Sequence, residues 1–530
     1  MSVSRIMTRR VFTGSALAAA TAAPAAWNAG SLRHVLPSAS HDRVRIKTSF
    51  LRPLDRPPSL AVNGRKVPGL RSDTAGQFWN FDATGLRPAT TYTLRLHDGR
   101  GKPLCDPWPL RTYPHPDETV DRFRLMIYTC AGGNDAQRIP DSGDPYWVSI
   151  ANRRKILAAG LAAKPDAVIA NGDHVYWDQR FTRAQFQTAG SAFVQSVMGG
   201  DFDRDIPVLG TPNEAKLKRA VDPQIVDLYG TMFRSAPMHF IQDDHDYFEN
   251  DEAIPAGVSL PPDHFMMQLG RATQHLYFPE HLPDAGRPAG LPGASAADRA
   301  TGLAECYGTL RFGRAAEILL YDCRRYLTLK GPNAGFVPGN VEDWLVRRMR
   351  ESPCAHVVNV PSTPIAWTAG KWGEWYPDLL SDSGKVGIDK PKYFWQQGWK
   401  SQHDRLLDAC SAMERIPLFI SGDLHALAHG AIERNGTQDL RRNPVHSVLS
   451  GPVSTGPRGW PSAARGTPPQ IATGIELATD LAPIENNGFT IVDFHAERIE
   501  FAMYRWKLGR PESELDQLTP FHTFTLSRTR

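Results

Sequence analysis

Two patterns of hydrophobic and polar residues divide the chain. From Val44 to Arg111, short alternating runs such as Leu60-Ala61-Val62, Phe78-Trp79-Asn80-Phe81 and Thr91-Tyr92-Thr93-Leu94-Arg95-Leu96 are separated by Gly, Pro, Asn and Asp. Alternation gives each strand one buried and one solvated face, so this region predicts a small antiparallel β-sandwich. Pro114 to Glu118 reads as a linker. Beyond it, apolar runs are each followed by a polar loop and a helix-length segment: Leu125-Met126-Ile127-Tyr128, Ala167-Val168-Ile169-Ala170, Phe240-Ile241, Ile318-Leu319-Leu320-Tyr321, Val357-Val358 and Leu418-Phe419-Ile420. That order predicts α/β architecture, with Tyr146 to Ala163 as the first crossover helix. Stretches rich in Pro and Gly, Ala253 to Pro262 and Pro283 to Gly293, read as insertions around a site, and no internal repeat is present.

Gly85-Leu86-Arg87-Pro88 followed by Thr91-Tyr92-Thr93-Leu94 is similar to the turn and strand of fibronectin- and immunoglobulin-like domains. The expected division is therefore a β-domain at 41–116 and an α/β domain at 120–530. A length of 530 residues fits this, because it exceeds what one ordinary hydrophobic core fills. In front of both, Arg5, Arg9 and Arg10 precede a small-residue stretch from Gly14 to Ala26, which reads as a signal peptide over 1–30. Within it, Thr8-Arg9-Arg10-Val11-Phe12 resembles the twin-arginine export consensus, which implies the twin-arginine translocase as a partner and a periplasmic or secreted product. The stretch is too short and too mildly hydrophobic to span a bilayer, and no later run of about 18 apolar residues follows, so no transmembrane segment is expected. Lys and Arg total 60 against 56 Asp and Glu, a net charge of +4 with no long basic run, which argues against a nucleic-acid partner. Six cysteines are too few for a dense disulfide framework at this length.

Four of the apolar runs end in residues suited to metal ligation: Thr129-Cys130, Asn171-Gly172-Asp173-His174-Val175-Tyr176, Asp243-Asp244-His245-Asp246 and Ser421-Gly422-Asp423-Leu424-His425. In an open α/β sheet the C-terminal ends of strands converge on one crevice, so these clusters are expected to meet. Two ions bridged by one carboxylate can hold a hydroxide and clamp a phosphoryl oxygen, and Asp173 is the natural bridge. Tyr176 is close enough in sequence to bind the same ion as a phenolate, which trivalent iron favours, and Cys130 would add a thiolate.

These blocks, in this order, resemble the alkaline phosphatase D family of calcineurin-like metallophosphoesterases, over roughly Val44 to Arg530. The resemblance implies a two-sheet sandwich flanked by helices and hydrolysis of phosphate mono- or diesters by a metal-activated hydroxide. It implies Fe³⁺ held by Cys130, Asp173, Tyr176 and His425, and Ca²⁺ on the other side of Asp173, with Zn²⁺ or another divalent ion as the alternative there. Asp244 and Asp423 fall where related purple acid phosphatases place Asn and His ligands for the second metal, and oxygen ligands suit a hard ion. His245 would stabilise the transition state or protonate the leaving alkoxide, and Arg324, in Tyr321-Asp322-Cys323-Arg324, would face the substrate phosphate. The chain departs from the family with Asp246 where Glu is usual and Gln242 where an aromatic residue is common, which leaves open whether Asp243 binds metal or supports the site.

The resemblance leaves the substrate open between a small phosphate ester and a phospholipid or wall-polymer diester. The reading from another class is a non-catalytic exported binding protein, which an intact ligand set argues against. His429, four residues after His425, reads as a structural histidine, and alternation along an extended segment turns His174 away from Asp173. The aromatic region from Trp367 to Trp399 reads equally as a pocket wall or as a cover packed by its own rings.

Overall fold

The computed structural model describes residues 26–139, 142–177, 200, 202–247, 264–279 and 306–528. Most of the expected signal peptide and both Pro/Gly-rich insertions lie outside the described residues. Each expected strand of the α/β part forms: Phe123–Tyr128, Ala167–Asn171, Met238–Ile241, Ala316–Tyr321, His356–Pro361 and Leu418–Ser421. The expected crossover helix is Ile150–Ala162, started by the Ser149 side chain accepting from the Asn152 amide.

These strands build two mixed sheets. The six-stranded sheet runs Met238–Ile241, Ala167–Asn171, Phe123–Tyr128, Asn487–Phe494, Arg498–Trp506, Pro520–Ser527, with the first three parallel. The eight-stranded sheet holds Tyr307–Phe312, Ala316–Tyr321, His356–Pro361, Leu418–Ser421, Val445–Ser450, Leu427–Asn435 and Gln438–Asp439 in that order, and Ile475–Ile484 pairs with Leu427–Asn435.

The central strands are buried on both faces, which is why they read as continuous apolar runs. Leu125, Ile127, Ile169 and Val492 share a core with Ile318, Leu320, Val358, Leu418 and Ile420 of the other sheet. Their alternate neighbours, Met126, Tyr128, Val168 and Ala170, pack with helix residues such as Ile156, Leu157, Leu217 and Ile225. Two sheets with helices on their outer faces therefore follow from a period of two applied to strands covered on both sides.

Before this unit, two four-stranded antiparallel sheets form over Leu32 to Arg111. Their first strand, Leu32–Ala39, precedes the expected start of the β-domain. These sheets are not a detached module. Val35, Ile46, Phe81 and Trp108 join the same buried cluster as Phe123 and Phe312. Tyr113 Oη lies 3.0 Å from His239 Nε2, and Lys218 bridges to Asp73 at 2.6 Å. Among the described residues, no helix is long and apolar enough to cross a membrane.

Candidate metal centre

Parallel pairing brings the carboxyl ends of Phe123–Tyr128, Ala167–Asn171 and Met238–Ile241 to one edge, and the second sheet delivers Leu418–Ser421 to the same place. The junction is tight. Thr129 N donates to Gly451 O at 3.0 Å, Thr129 Oγ1 to Asn171 O at 2.6 Å, and Asn171 Nδ2 to Pro361 O at 3.0 Å. The two Gly-Asp pairs arise from this crowding: a Cβ at Gly422 would lie 2.3 Å from Thr129 Oγ1, and one at Gly172 would lie 2.6 Å from Asp243 Cβ. Cys130, Asp173 and Asp423 then take positive φ of 49°, 57° and 64°. Non-glycine residues pay on the order of 1–3 kcal/mol for such backbone, so the turn that aims each side chain inward is strained.

The aimed side chains meet. Asp173 Oδ2 lies 3.2 Å from Cys130 Sγ, 3.4 Å from Tyr176 Oη and 4.0 Å from His425 Nε2. His425 Nδ1 is 2.6 Å from the Gly459 carbonyl, an acceptor only, so Nδ1 carries the hydrogen and Nε2 presents its lone pair to Asp173 and Tyr176. The Tyr176 ring is held between Trp147 and His245, with centroids at 4.3 and 4.5 Å. Burial, then Asp173, pushes the Cys130 thiol well above its usual range, so a thiolate here needs a bound cation.

On the other side of Asp173 lie Asp244 and His245, then Asp243 and Asp423. Asp173, Asp244 and His245 form one group whose ligand atoms fall within 4.8 Å of one another, and Asp243, Asp244 and Asp423 form another. Asp244 is buried and neither of its carboxylate oxygens has a hydrogen-bond partner; the same holds for Asp173 Oδ1. Buried carboxylate oxygens without donors are costly unless a cation answers them. Burial pushes Asp423 up to about 6 and holds Asp243 well above the ordinary carboxylate range. The donor set fits metal on both sides of Asp173: sulfur, phenol and imidazole on one, oxygen ligands with a neighbouring imidazole on the other.

All eight sequence-derived candidates are therefore brought together, but Arg324 differs from expectation in its partners. It is fully buried, and its guanidinium donates to Asp243 Oδ1 at 2.6 Å, Asp423 Oδ2 at 3.2 Å and the Gly373 carbonyl at 2.5 Å. It clamps two carboxylates of the site. Asp243, whose Oδ1 faces this clamp, keeps a second buried oxygen without a hydrogen bond.

Three further contributors were given no role by the sequence reading. Lys371 bonds Asp423 and stands 3.8 Å from Asp244 Oδ2, so one protein cation already reaches the oxygen-rich side. Its signal was a lysine between Gly370 and Gly373, whose φ of 70° and 80° fold the segment into the site. Asp246 accepts from the amides of Asp173, His174, Val175 and Asp243 at 2.7–3.0 Å, tying two ligand loops together. The Gly/Pro-rich loop from Gly451 to Gly459 supplies the carbonyl that orients His425. His174 turns away from Asp173, and its Nε2 donates to Ile241 O at 2.8 Å, but the segment is a turn with φ of 57° at Asp173 and not the extended run on which the expectation of alternation rested. The Trp367–Trp399 region packs both on itself and on neighbouring segments: Trp372 lies on Trp399 at 5.7 Å, and Trp375 lies on Phe336 at 4.4 Å, while Tyr393 and Phe394 are exposed.

No protein-family model matches the sequence, and no curated protein matches it. Solved structures do match in three dimensions, among them the following two. The structure of PhoD superposes with a TM-score of 0.64 at 13% identity, over 96% of this chain and 92% of that one. A purple acid phosphatase isolated from yellow lupin (Lupinus luteus) seeds superposes with a TM-score of 0.55 at 11% identity, over 94% of this chain and 75% of that one. The chain has their fold. At such low identity the likeness extends to architecture, and the functional reading rests on the side chains at the strand ends.

Proposed function

We propose that this chain is an exported, metal-dependent phosphoesterase acting on phosphate mono- or diesters. The observation that carries the reading is the position of Asp173, with Cys130, Tyr176 and His425 on one side and, on the other, Asp244, whose buried oxygens accept no hydrogen bond. Fe³⁺ suits the sulfur, phenol and imidazole side; Ca²⁺, or Zn²⁺ or another divalent ion, suits Asp244 and Asp423, with Asp173 between. Bound there, the two ions would supply Lewis acidity and acidify a water for attack on phosphorus.

The chain's own residues do the rest. Lys371 and Arg324 offset part of the charge of four buried carboxylates. His245 is partly exposed at the Asp173–Asp244 edge, where it can hold the proton that a departing alkoxide needs. The reading is tested with purified protein on a monoester and on diesters of increasing size. Chelation should remove at least nine-tenths of the turnover, and calcium should restore it. Lack of turnover on every ester would end the proposal; restoration by iron alone would mean that Lys371 supplies the second charge without calcium.

Export is proposed on Arg9-Arg10 and the small-residue stretch behind them. Replacing both arginines with lysine should leave the uncleaved precursor in the cytoplasm, as read by fractionation. Normal processing of that double variant would refute twin-arginine export.

A further inference from the structure

The last strand of the six-stranded sheet, Pro520–Ser527, meets the eight-stranded sheet through a second polar cluster that shares no residue with the centre described above. His429 lies on Leu427–Asn435, Asp480 on Ile475–Ile484 and His522 on Pro520–Ser527. Asp480 Oδ2 is 3.0 Å from His429 Nδ1 and 2.9 Å from His522 Nε2. The three donor atoms lie within 4.8 Å of one another. We propose that His429, Asp480 and His522 hold a zinc-class divalent cation that fastens the terminal strand of one sheet to the other sheet.

The ligand chemistry selects the ion class. Two imidazoles and a carboxylate suit Zn²⁺ or a similar transition ion, whereas Ca²⁺ and Mg²⁺ prefer oxygen throughout. Donor atoms about 3 Å apart need only small adjustments to surround an ion with bonds of roughly 2.0–2.2 Å.

The second layer is also built for a ligand. His429 Nε2 lies 3.3 Å from His446 Nδ1, so an Nε2–H donated to His446 leaves the Nδ1 lone pair facing Asp480. Phe524 stacks on the His429 ring at 3.8 Å and 5°, fixing its plane. His429 is nearly buried while Asp480 is 47% exposed at its side chain, so the site has a packed base and an open side through which an ion can enter.

The test compares the full-length protein with His522→Ala and Asp480→Asn, since both changes lie at the exposed side and outside the catalytic centre. After equilibration with zinc and removal of excess, elemental analysis should find one zinc fewer per chain in each variant than in wild type. Phosphoesterase turnover should stay within about twofold of wild type. Zinc at about a hundred times its dissociation constant should raise the wild-type Tm by about 2 °C more than it raises that of either variant. Calcium should produce no such difference. Any zinc taken up at the catalytic centre is common to the three proteins and cancels. Equal zinc content and equal zinc-dependent shifts would overturn the proposal and leave the cluster as a hydrogen-bonded one.

Discussion

Asp173→Asn is expected to lower turnover by at least about a thousandfold and to weaken metal binding on both sides of the centre, because the bridging charge belongs to each ion. Asparagine is the informative replacement. It tolerates the positive φ of 57° at this position, which alanine does not, so the backbone turn survives and the charge alone is removed. A carboxylate held only for structure would leave a less stable protein when replaced. Here the opposite is expected for metal-free protein: losing one of several crowded carboxylates should raise its Tm. Metal content, turnover and metal-free Tm thus form one test, and normal metal content in an unstable variant would refute the bridging role.

Neighbouring substitutions separate the two sides. Cys130→Ala should lower iron content and spare the oxygen-rich side. Tyr176→Phe keeps the ring between Trp147 and His245 but removes the phenolate, and with it the visible charge-transfer band expected of phenolate on Fe³⁺. A colourless wild-type protein, fully active with zinc, would displace iron from the assignment.

The legible parts of this site were those encoded locally. An apolar run followed by Gly-Asp marks a strand end whose backbone must turn sharply, and Asn171-Gly172-Asp173 and Ser421-Gly422-Asp423 both do so for a steric reason seen at Gly172 and Gly422. Cys130 and Tyr176 were legible because structural turns have no need of a thiol or a phenol there. The partners were not legible, since they come from far along the chain. Lys371 reaches Asp423 from 52 residues away and Arg324 reaches Asp243 from 81. Gly459 acts through its carbonyl, to which sequence pattern is blind. The C-terminal strands are a different case. Ile499, Phe501 and Met503 alternate with less buried residues in Arg498–Trp506, a period of two that the chain displays openly. The antiparallel return of the preceding strand, Asn487–Phe494, to Phe123–Tyr128 pairs residues more than 360 apart, as in Asp493 against Arg124. Periodicity predicts a strand, and only the closed core decides its neighbours.

Arg324 carries the largest stability prediction. The resemblance pointed this side chain at substrate phosphate, whereas the structure spends its donors on Asp243, Asp423 and a carbonyl. Arg324→Met keeps a long apolar stem but leaves fully buried Asp243 without its main partner and Asp423 with Lys371 alone. Removing one side of a buried ion pair typically costs about 3–5 kcal/mol, and for a chain of this size that lowers Tm by roughly 3–5 °C. Arg324→Lys should recover little, because one ammonium cannot reach both carboxylates and Gly373 in the geometry of a planar fork. Asp243→Asn should be less harmful in the Arg324→Met protein than in wild type, since the unpaired charge is then already the problem. A substrate-binding arginine would behave in the reverse way: KM would rise, Tm would hold, and the double variant would show no coupling in stability. Excess divalent cation separates the two roles again. Metal drawn to Asp244 and Asp423 should return part of the lost Tm if Arg324 clamps the carboxylates, and none of it if Arg324 only awaits phosphate.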